Sequence, residues 1–277
     1  MSNDSFKYTP DGPVTPVVVH KQIHAKEPAA KKRVPWSPFA AIFYSILVYF
    51  SAQLIGSMLV IIYPHLMGWN KERANVWLDQ SIVAQFWFVL SAEALTFGAI
   101  WWFIRSRGAA LRLIGWRGLR WKDPLYTVGG FVAYFVGYVV LLAIVTQFFP
   151  SLNLDQKQEL GFDNPAGGFS LLLTFLSLVV LPPIVEETVF RGFVFTGLRG
   201  RIRPIWAGLI TSVLFATAHL EFGSGKPLLW VAAIDTFILS LVLCYLRQKT
   251  DSLWPGILLH ALKNSIAFVS LFIIGMH

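Results

Sequence analysis

The sequence is poor in cysteine. Its 277 residues contain one cysteine, Cys244. A single thiol cannot close an intrachain disulfide, and it cannot supply the several thiolates of a cysteine-based zinc site. The sequence therefore excludes a disulfide framework and a cysteine zinc cage.

Charged residues are also scarce. They make up 14% of the chain, and 55% of the residues are hydrophobic; soluble domains carry about 25% charged residues. This composition predicts an all-α, polytopic transmembrane helix bundle. A net charge of +8 would suggest a nucleic-acid partner in a soluble protein. Here the basic residues fall between apolar segments, so they indicate membrane topology, and we expect no nucleic acid.

Seven apolar segments approach the length of about 20 residues that a bilayer-spanning helix needs. They cover residues 38–67, 81–104, 124–149, 169–198, 205–220, 228–246 and 253–276. The fourth is long and contains Pro182 and Pro183, so it could form two pieces and raise the count to eight. The first 35 residues are polar and rich in proline, which predicts a disordered basic tail without a cleaved signal peptide. Residues 36–150 then hold the N-terminal spans.

The loop charges predict the orientation of these spans. Arginine and lysine residues precede span one and follow spans two, four and six, which places all of them on one side. The loop 150–167 on the opposite side carries Asp155, Glu159 and Asp163. Because basic loops face the cytoplasm, we expect a multi-pass protein of the cell membrane with a cytoplasmic N-terminus.

The stretch LPPIVEETVFRG at residues 181–192 places Glu186, Glu187 and Arg191 inside an apolar run. Ionisable groups at membrane depth are costly and usually carry function. The two prolines predict that the helix breaks and restarts, with both glutamates in a first turn favoured by the helix dipole. Glu187 and Arg191 are four residues apart, so they are expected to form an ion pair and to leave the Glu186 carboxylate free. The alternative is a purely structural salt bridge at a helix kink.

Two histidines and an asparagine extend this group. Only His219 and His260 of the six histidines lie well within apolar sequence, and Asn264 shares a helix face with His260. A single buried histidine is more often a packed core residue than a catalyst. At a rise of 1.5 Å per residue, Glu186, His219 and His260 lie roughly 18–20, 20 and 10 Å from the basic side. All three can therefore meet in one cavity.

These residue types suit the addition of water to a carbonyl group. A carboxylate can take a proton from water, an imidazole can act as acid or base, and histidine or asparagine can stabilise an oxyanion. No nucleophile motif is present, which favours direct attack by water. Two histidines and a glutamate from separate helices could also bind zinc. Glu93 and Asp235 are intramembrane as well, either lining the cavity or packing as hydrogen-bonded residues.

The motifs EETVFR, FATAH and HALKN, which begin at Glu186, Phe215 and His260, resemble in order three signature motifs of the CAAX-protease and bacteriocin-processing family. This family comprises intramembrane endopeptidases and includes the enzyme that removes the last three residues after a prenylated cysteine. The resemblance covers about residues 171–268 and implies a catalytic membrane core over 168–277.

The same resemblance implies a role for each site residue. Glu186 would act with His219 to activate water, and His260 and Asn264 would stabilise the oxyanion. Glu187 and Arg191 would support the site. No metal cofactor is expected, although zinc remains open. The substrate would be a membrane-embedded or lipidated peptide or protein, for example one of the prenylated CAAX type.

Two other classes of function compete with this interpretation. A non-catalytic membrane scaffold, or an immunity or secretion factor, could keep the motifs without turnover, but the intact Glu186, His219 and His260 argue against it. A proton-coupled transporter could use glutamate and histidine as a relay. Inverted repeats with paired broken helices would favour a transporter, and the sequence shows only one such segment.

Overall fold

The computed structural model describes residues 34–156, 161–162, 165, 167–221 and 227–275. Within these ranges the chain is helical and contains no strand, which confirms the predicted all-α class. The tail predicted over residues 1–35 lies outside the described part, apart from Val34 and Pro35. Val34 is buried and packs into the core described below.

Seven of the helices correspond to the seven predicted apolar segments. Six of them are long and apolar enough to cross a membrane, and the fifth predicted segment is a shorter apolar helix. The chain is therefore a multi-pass membrane protein. An amphipathic helix that was not predicted, α2, connects the first two spans. In order the helices are α1 (Pro38–Leu66), α2 (Lys71–Gln80), α3 (Ile82–Ser106), α4 (Asp123–Phe148), α5 (Gly167–Arg199), α6 (Pro204–Ala218), α7 (Trp230–Thr250) and α8 (Trp254–Ile274).

Helix α5 continues through its two prolines, so the predicted break and restart are wrong. A π-helical turn, Leu176–Val180, comes just before Pro182 and Pro183, and the Leu181 amide donates to the Leu176 carbonyl five residues earlier. Wider turns of this kind accommodate residues that cannot continue the α-helical hydrogen bonds. Both glutamates therefore lie in the middle of a helix, and the dipole of a helix N-terminus does not act on them.

The largest core cluster surrounds the second half of α5. Phe193 is fully buried, and its ring lies 5.1 Å from Trp36 and 5.2 Å from Phe103 of α3. Helices α1 and α3 pack closely, because a Cβ at Gly56 would lie 3.3 Å from the backbone nitrogen of Ala92. These helices enclose α5 on one side, and α6, α7 and α8 enclose it on the other.

Three arginines meet at one end of the bundle. Arg247 and Arg199 bond Asp251 at 2.8 and 3.2 Å, and Arg117 also pairs with this carboxylate. The loop after α3 and the ends of α5 and α7 therefore lie at the same end, as the loop charges predict. We call this end the basic face; its cytoplasmic orientation stays a prediction.

Candidate active site

Glu187 and Arg191 form the predicted ion pair. Arg191 Nη1 lies 2.8 Å from Glu187 Oε1, and both side chains are almost wholly buried. The guanidinium lies 4.3 Å from the ring centroid of Phe215 on α6. Burial removes competing water from this pair, so the contact fixes the second half of α5 against α6.

Glu186 has a different environment from its neighbour. Its side chain is 27% exposed, and its Oε2 atom accepts no hydrogen bond from any described residue. Glu186 therefore lies outside the ion pair, as expected, but its Oε2 atom is buried and only the rest of the side chain is exposed. Within the ion pair, by contrast, Glu187 is held by a partner of opposite charge.

His260 on α8 lies against both carboxylates. Its Nε2 atom is 3.8 Å from Glu186 Oε2, and its Nδ1 atom is 3.4 Å from Glu187 Oε1. The ring itself is buried. The bundle therefore brings two of the predicted motifs into contact, although they are more than 70 residues apart in the sequence.

His219 follows α6 directly and is half-buried. Its Nδ1 atom lies 2.8 Å from the Phe215 carbonyl oxygen. A carbonyl oxygen only accepts, so Nδ1 carries the hydrogen and the Nε2 of a neutral ring has a free lone pair. The Phe215 ring packs against both imidazoles, with centroids 4.6 Å from His219 and 5.9 Å from His260.

Asn264 connects α8 to α5. Its Nδ2 atom donates to the carbonyl oxygen of Leu178 at 2.9 Å. In an α-helix that carbonyl would receive the amide of residue 182, but Pro182 has none. One amide hydrogen of Asn264 is therefore used within the protein. The second remains for the oxyanion role, which stays a prediction.

The sequence reasoning missed Lys263. Its Nζ atom lies 2.7 Å from Asp235 Oδ2, and the Tyr134 hydroxyl donates to Asp235 Oδ1. Asp235 is thus a hydrogen-bonded packing residue that connects α4, α7 and α8. The role of Glu93 stays a prediction. The signal that could have identified Lys263 is a lysine within an apolar span.

A zinc site would need several ligating side chains close together. Catalytic zinc needs three protein ligands from histidine, carboxylate or thiolate side chains. Among the described residues, no group of three or more such side chains is arranged to hold one ion. Metal independence itself stays a prediction.

Comparison with known proteins bears on this geometry. Residues 168–266 match the family model described as "Rce1-like: Type II CAAX prenyl endopeptidase Rce1-like". This segment therefore resembles that family. The resemblance that the three motifs indicated is thereby confirmed over the segment that contains all six predicted site residues.

Curated relatives match the same chain in part. An "Uncharacterized 24.3 kDa protein" of Escherichia coli is 36% identical over 92 residues, which is 32% of this chain and 40% of that protein. The "Putative membrane peptidase YdiL" of Bacillus subtilis (strain 168) is 30% identical over 90 residues, 32% of this chain and 34% of that protein. The "UPF0177 protein YaiF" of Lactococcus lactis is 27% identical over 158 residues, 55% of this chain and 66% of that protein.

The chain therefore spans about two fifths and one third of the length of the first two relatives. No solved structure matches it at a significant level.

Proposed function

We propose that this protein is an intramembrane endopeptidase that cleaves membrane-embedded or lipidated peptides with water activated by Glu186 and His219. The observation that carries the proposal is the contrast between two adjacent glutamates. Glu187 is buried in an ion pair, whereas Glu186 is partly exposed and accepts no hydrogen bond from the described residues. Because the Glu187 side chain is enclosed in the ion pair, Glu186 is the one of the two whose exposed part can bind water and take its proton.

In the attack step, the water oxygen bonds to the scissile carbonyl carbon while the Glu186 carboxylate takes the proton. The carbonyl electron pair moves onto oxygen. His260 Nε2 lies 3.8 Å from Glu186 Oε2, so an oxygen atom beside this edge meets both groups. A hydrogen on that nitrogen, together with the second amide hydrogen of Asn264, would stabilise the oxyanion.

Breakdown of the tetrahedral intermediate breaks the C–N bond, and the leaving nitrogen needs a proton. His219 suits this transfer because its Nδ1 hydrogen is held by the Phe215 carbonyl and its Nε2 lone pair is free. It can accept from Glu186 the proton that came from water and pass it to the amine nitrogen. The fixed ring orientation favours the same nitrogen in both steps.

The test compares wild type with Glu186→Gln. Glutamine has the same shape but cannot accept the proton, so we expect cleavage to fall by roughly 10²–10⁴-fold while thermal unfolding stays unchanged. The substrate is identified by mass spectrometry as the membrane protein that accumulates uncleaved in cells carrying Glu186→Gln. A synthetic peptide with the sequence of that protein's cleaved region is then the substrate in assays of the purified enzyme. Full activity of the variant would exclude this site.

The same assay tests metal independence. We expect the purified wild type to keep its activity after treatment with a chelator and to contain no stoichiometric metal. Chelator-sensitive activity that returns on addition of zinc would refute the metal-independent mechanism. The result for Glu186→Gln would still decide separately whether Glu186 belongs to the active site.

A further inference from the structure

A cavity of about 440 Å³ opens at the basic face, in the loop between α3 and α4. Its lining consists of Arg112, Trp116, Arg117, Gly118 and Arg120. Three of these five residues are arginines, and the described lining contains no acid. The volume falls within the range of about 300–1,000 Å³ that is typical of ligand pockets. We call this space the arginine cavity.

The cluster behind the cavity has unused hydrogen-bond donors. Arg117 shares the Asp251 carboxylate with Arg199 and Arg247. The Nε atoms of Arg117 and Arg247 are buried and bond no acceptor among the described residues. Arg199 also donates to Gln248, and Arg247 donates to the Leu113 carbonyl and to Thr196. The cluster therefore acts mainly by its charge, since three guanidinium groups surround one carboxylate, and this excess of positive charge favours an anion in the cavity.

Phosphate is the anion whose oxygens best match guanidinium groups, since each arginine can donate two parallel hydrogen bonds to it. Two neighbours of the cavity indicate where the phosphate comes from. Leu119 is 59% exposed and Trp121 is 75% exposed. Tryptophan is enriched at the level of lipid headgroups, and leucine gains by contact with acyl chains. We therefore expect the cavity to lie at the depth of the lipid phosphate groups.

We propose that the arginine cavity binds the phosphate group of an anionic phospholipid at the basic face. The cavity is separate from Glu186, His219 and His260, and the binding does not depend on the proposed peptidase activity. A free phosphate would use the same arginines, and the experiment below distinguishes the two sources.

The cavity is coupled to the helices of the active site. Trp116, which lines it, donates its Nε1 hydrogen to Thr188 Oγ1 at 3.1 Å, and Thr188 follows Glu187 on α5. Trp254 packs edge-on against Trp116 at 5.7 Å and donates to the Arg117 carbonyl at 2.6 Å. Trp254 begins α8, which carries His260. A lipid that orders this loop therefore orders both helices that bear the site.

The binding test uses the full-length protein in bilayer discs of phosphatidylcholine with or without phosphatidylglycerol. Bound lipid is counted by native mass spectrometry. The cavity variant is Arg112→Gln with Arg120→Gln; both side chains are exposed at the cavity. The control is Arg201→Gln with Arg203→Gln, which removes the same charge from exposed positions of the basic face outside the cavity.

Any arginine near an anionic membrane surface contributes about fivefold to affinity through general attraction, so each variant can lose up to roughly 25-fold in this way. The cavity variant should lose roughly tenfold more than the control, because its arginines also donate hydrogen bonds to the phosphate. Equal losses in the two variants, or no loss in the cavity variant, would overturn the proposal. Saturation by inorganic phosphate without any preference for phosphatidylglycerol would overturn the assignment to a lipid.

The coupling is tested separately, and this part rests on the proposed function. Phosphatidylglycerol should raise the turnover of wild type and of the control variant, but not of the cavity variant. Trp116→Phe keeps an aromatic ring but removes the hydrogen bond to Thr188, so it should bind the lipid and lose the activation. Glu186→Gln should bind the lipid normally, so an inactive protein does not count against the lipid site. Activation retained in Trp116→Phe would refute the coupling.

Discussion

The ion pair between Glu187 and Arg191 offers the sharpest test of how the site is held together. The perturbation is Arg191→Met, which keeps an unbranched side chain but removes the charge. Arg191 is wholly buried, and its Nη1 atom lies 2.8 Å from Glu187 Oε1. The substitution leaves a carboxylate that is itself buried beside His260 at 3.4 Å.

The expected loss of stability follows from that burial. Removing one partner of a buried pair costs about 3–5 kcal/mol, whereas an exposed pair contributes about 0–1 kcal/mol. The guanidinium also lies 4.3 Å from the Phe215 ring centroid, and a desolvated contact of this kind contributes about 2 kcal/mol or more. The free energy of unfolding of a typical protein is about 5–15 kcal/mol. A loss of this size should therefore lower both the yield and the melting temperature of Arg191→Met.

A double variant separates the stranded charge from lost packing. Glu187→Gln removes the charge that Arg191→Met leaves unpaired, so the two substitutions together should cost less than the sum of their separate effects. Unfolding is followed in detergent by tryptophan fluorescence. If the two effects simply added, or if Arg191→Met unfolded like wild type, the buried ion pair would not be a stabilising contact and the reasoning would fail.

Three further predictions follow from the packing. Gly256→Ala should lower stability and activity, because a Cβ there would lie 2.8 Å from the Glu187 carboxylate. The control Gly208→Ala should unfold like wild type, because its Cβ would lie 3.7 Å from its nearest neighbour. Equal behaviour of the two variants would contradict the close approach at Gly256. Asn264→Ala should lower thermal stability as well as turnover, since it leaves a carbonyl of α5 without its donor, at a cost of about 1–3 kcal/mol; lost turnover with unchanged stability would instead indicate a purely catalytic residue. For topology, a membrane-impermeant thiol reagent applied to intact cells should label Ser151→Cys and not Lys122→Cys. Both positions are exposed, and the native Cys244 is buried and should not react. The reverse pattern would mean that the orientation is inverted.

The positions of the spans could be predicted from the sequence because apolar length depends on the bilayer and hardly on neighbouring helices. The predicted segment 38–67 matches helix Pro38–Leu66, and 124–149 matches Asp123–Phe148. The ion pair could also be predicted from the sequence, because its two residues lie one helical turn apart. Predictions of this local kind need no knowledge of the tertiary structure.

Other features depend on contacts between distant segments and were missed for that reason. Lys263 and Asp235 pair across α8 and α7, and Tyr134 joins them from α4. Each residue alone has no partner in the sequence nearby. Helix α2 was missed because its low hydropathy gives no signal of a membrane span. The loop charges predicted the basic face, but not that three arginines would converge on Asp251.

The continuity of α5 shows how a distant residue reverses a local rule. Pro182 removes the amide that would bind the Leu178 carbonyl, so the sequence alone predicts a break. In the folded protein the π-helical turn redirects one hydrogen bond, and the Asn264 amide supplies another at 2.9 Å. A buried carbonyl thus becomes the contact that fixes α8 against α5. Because α8 carries His260 and α5 carries Glu186, the proline that weakens the helix also helps to set the distance between the two side chains.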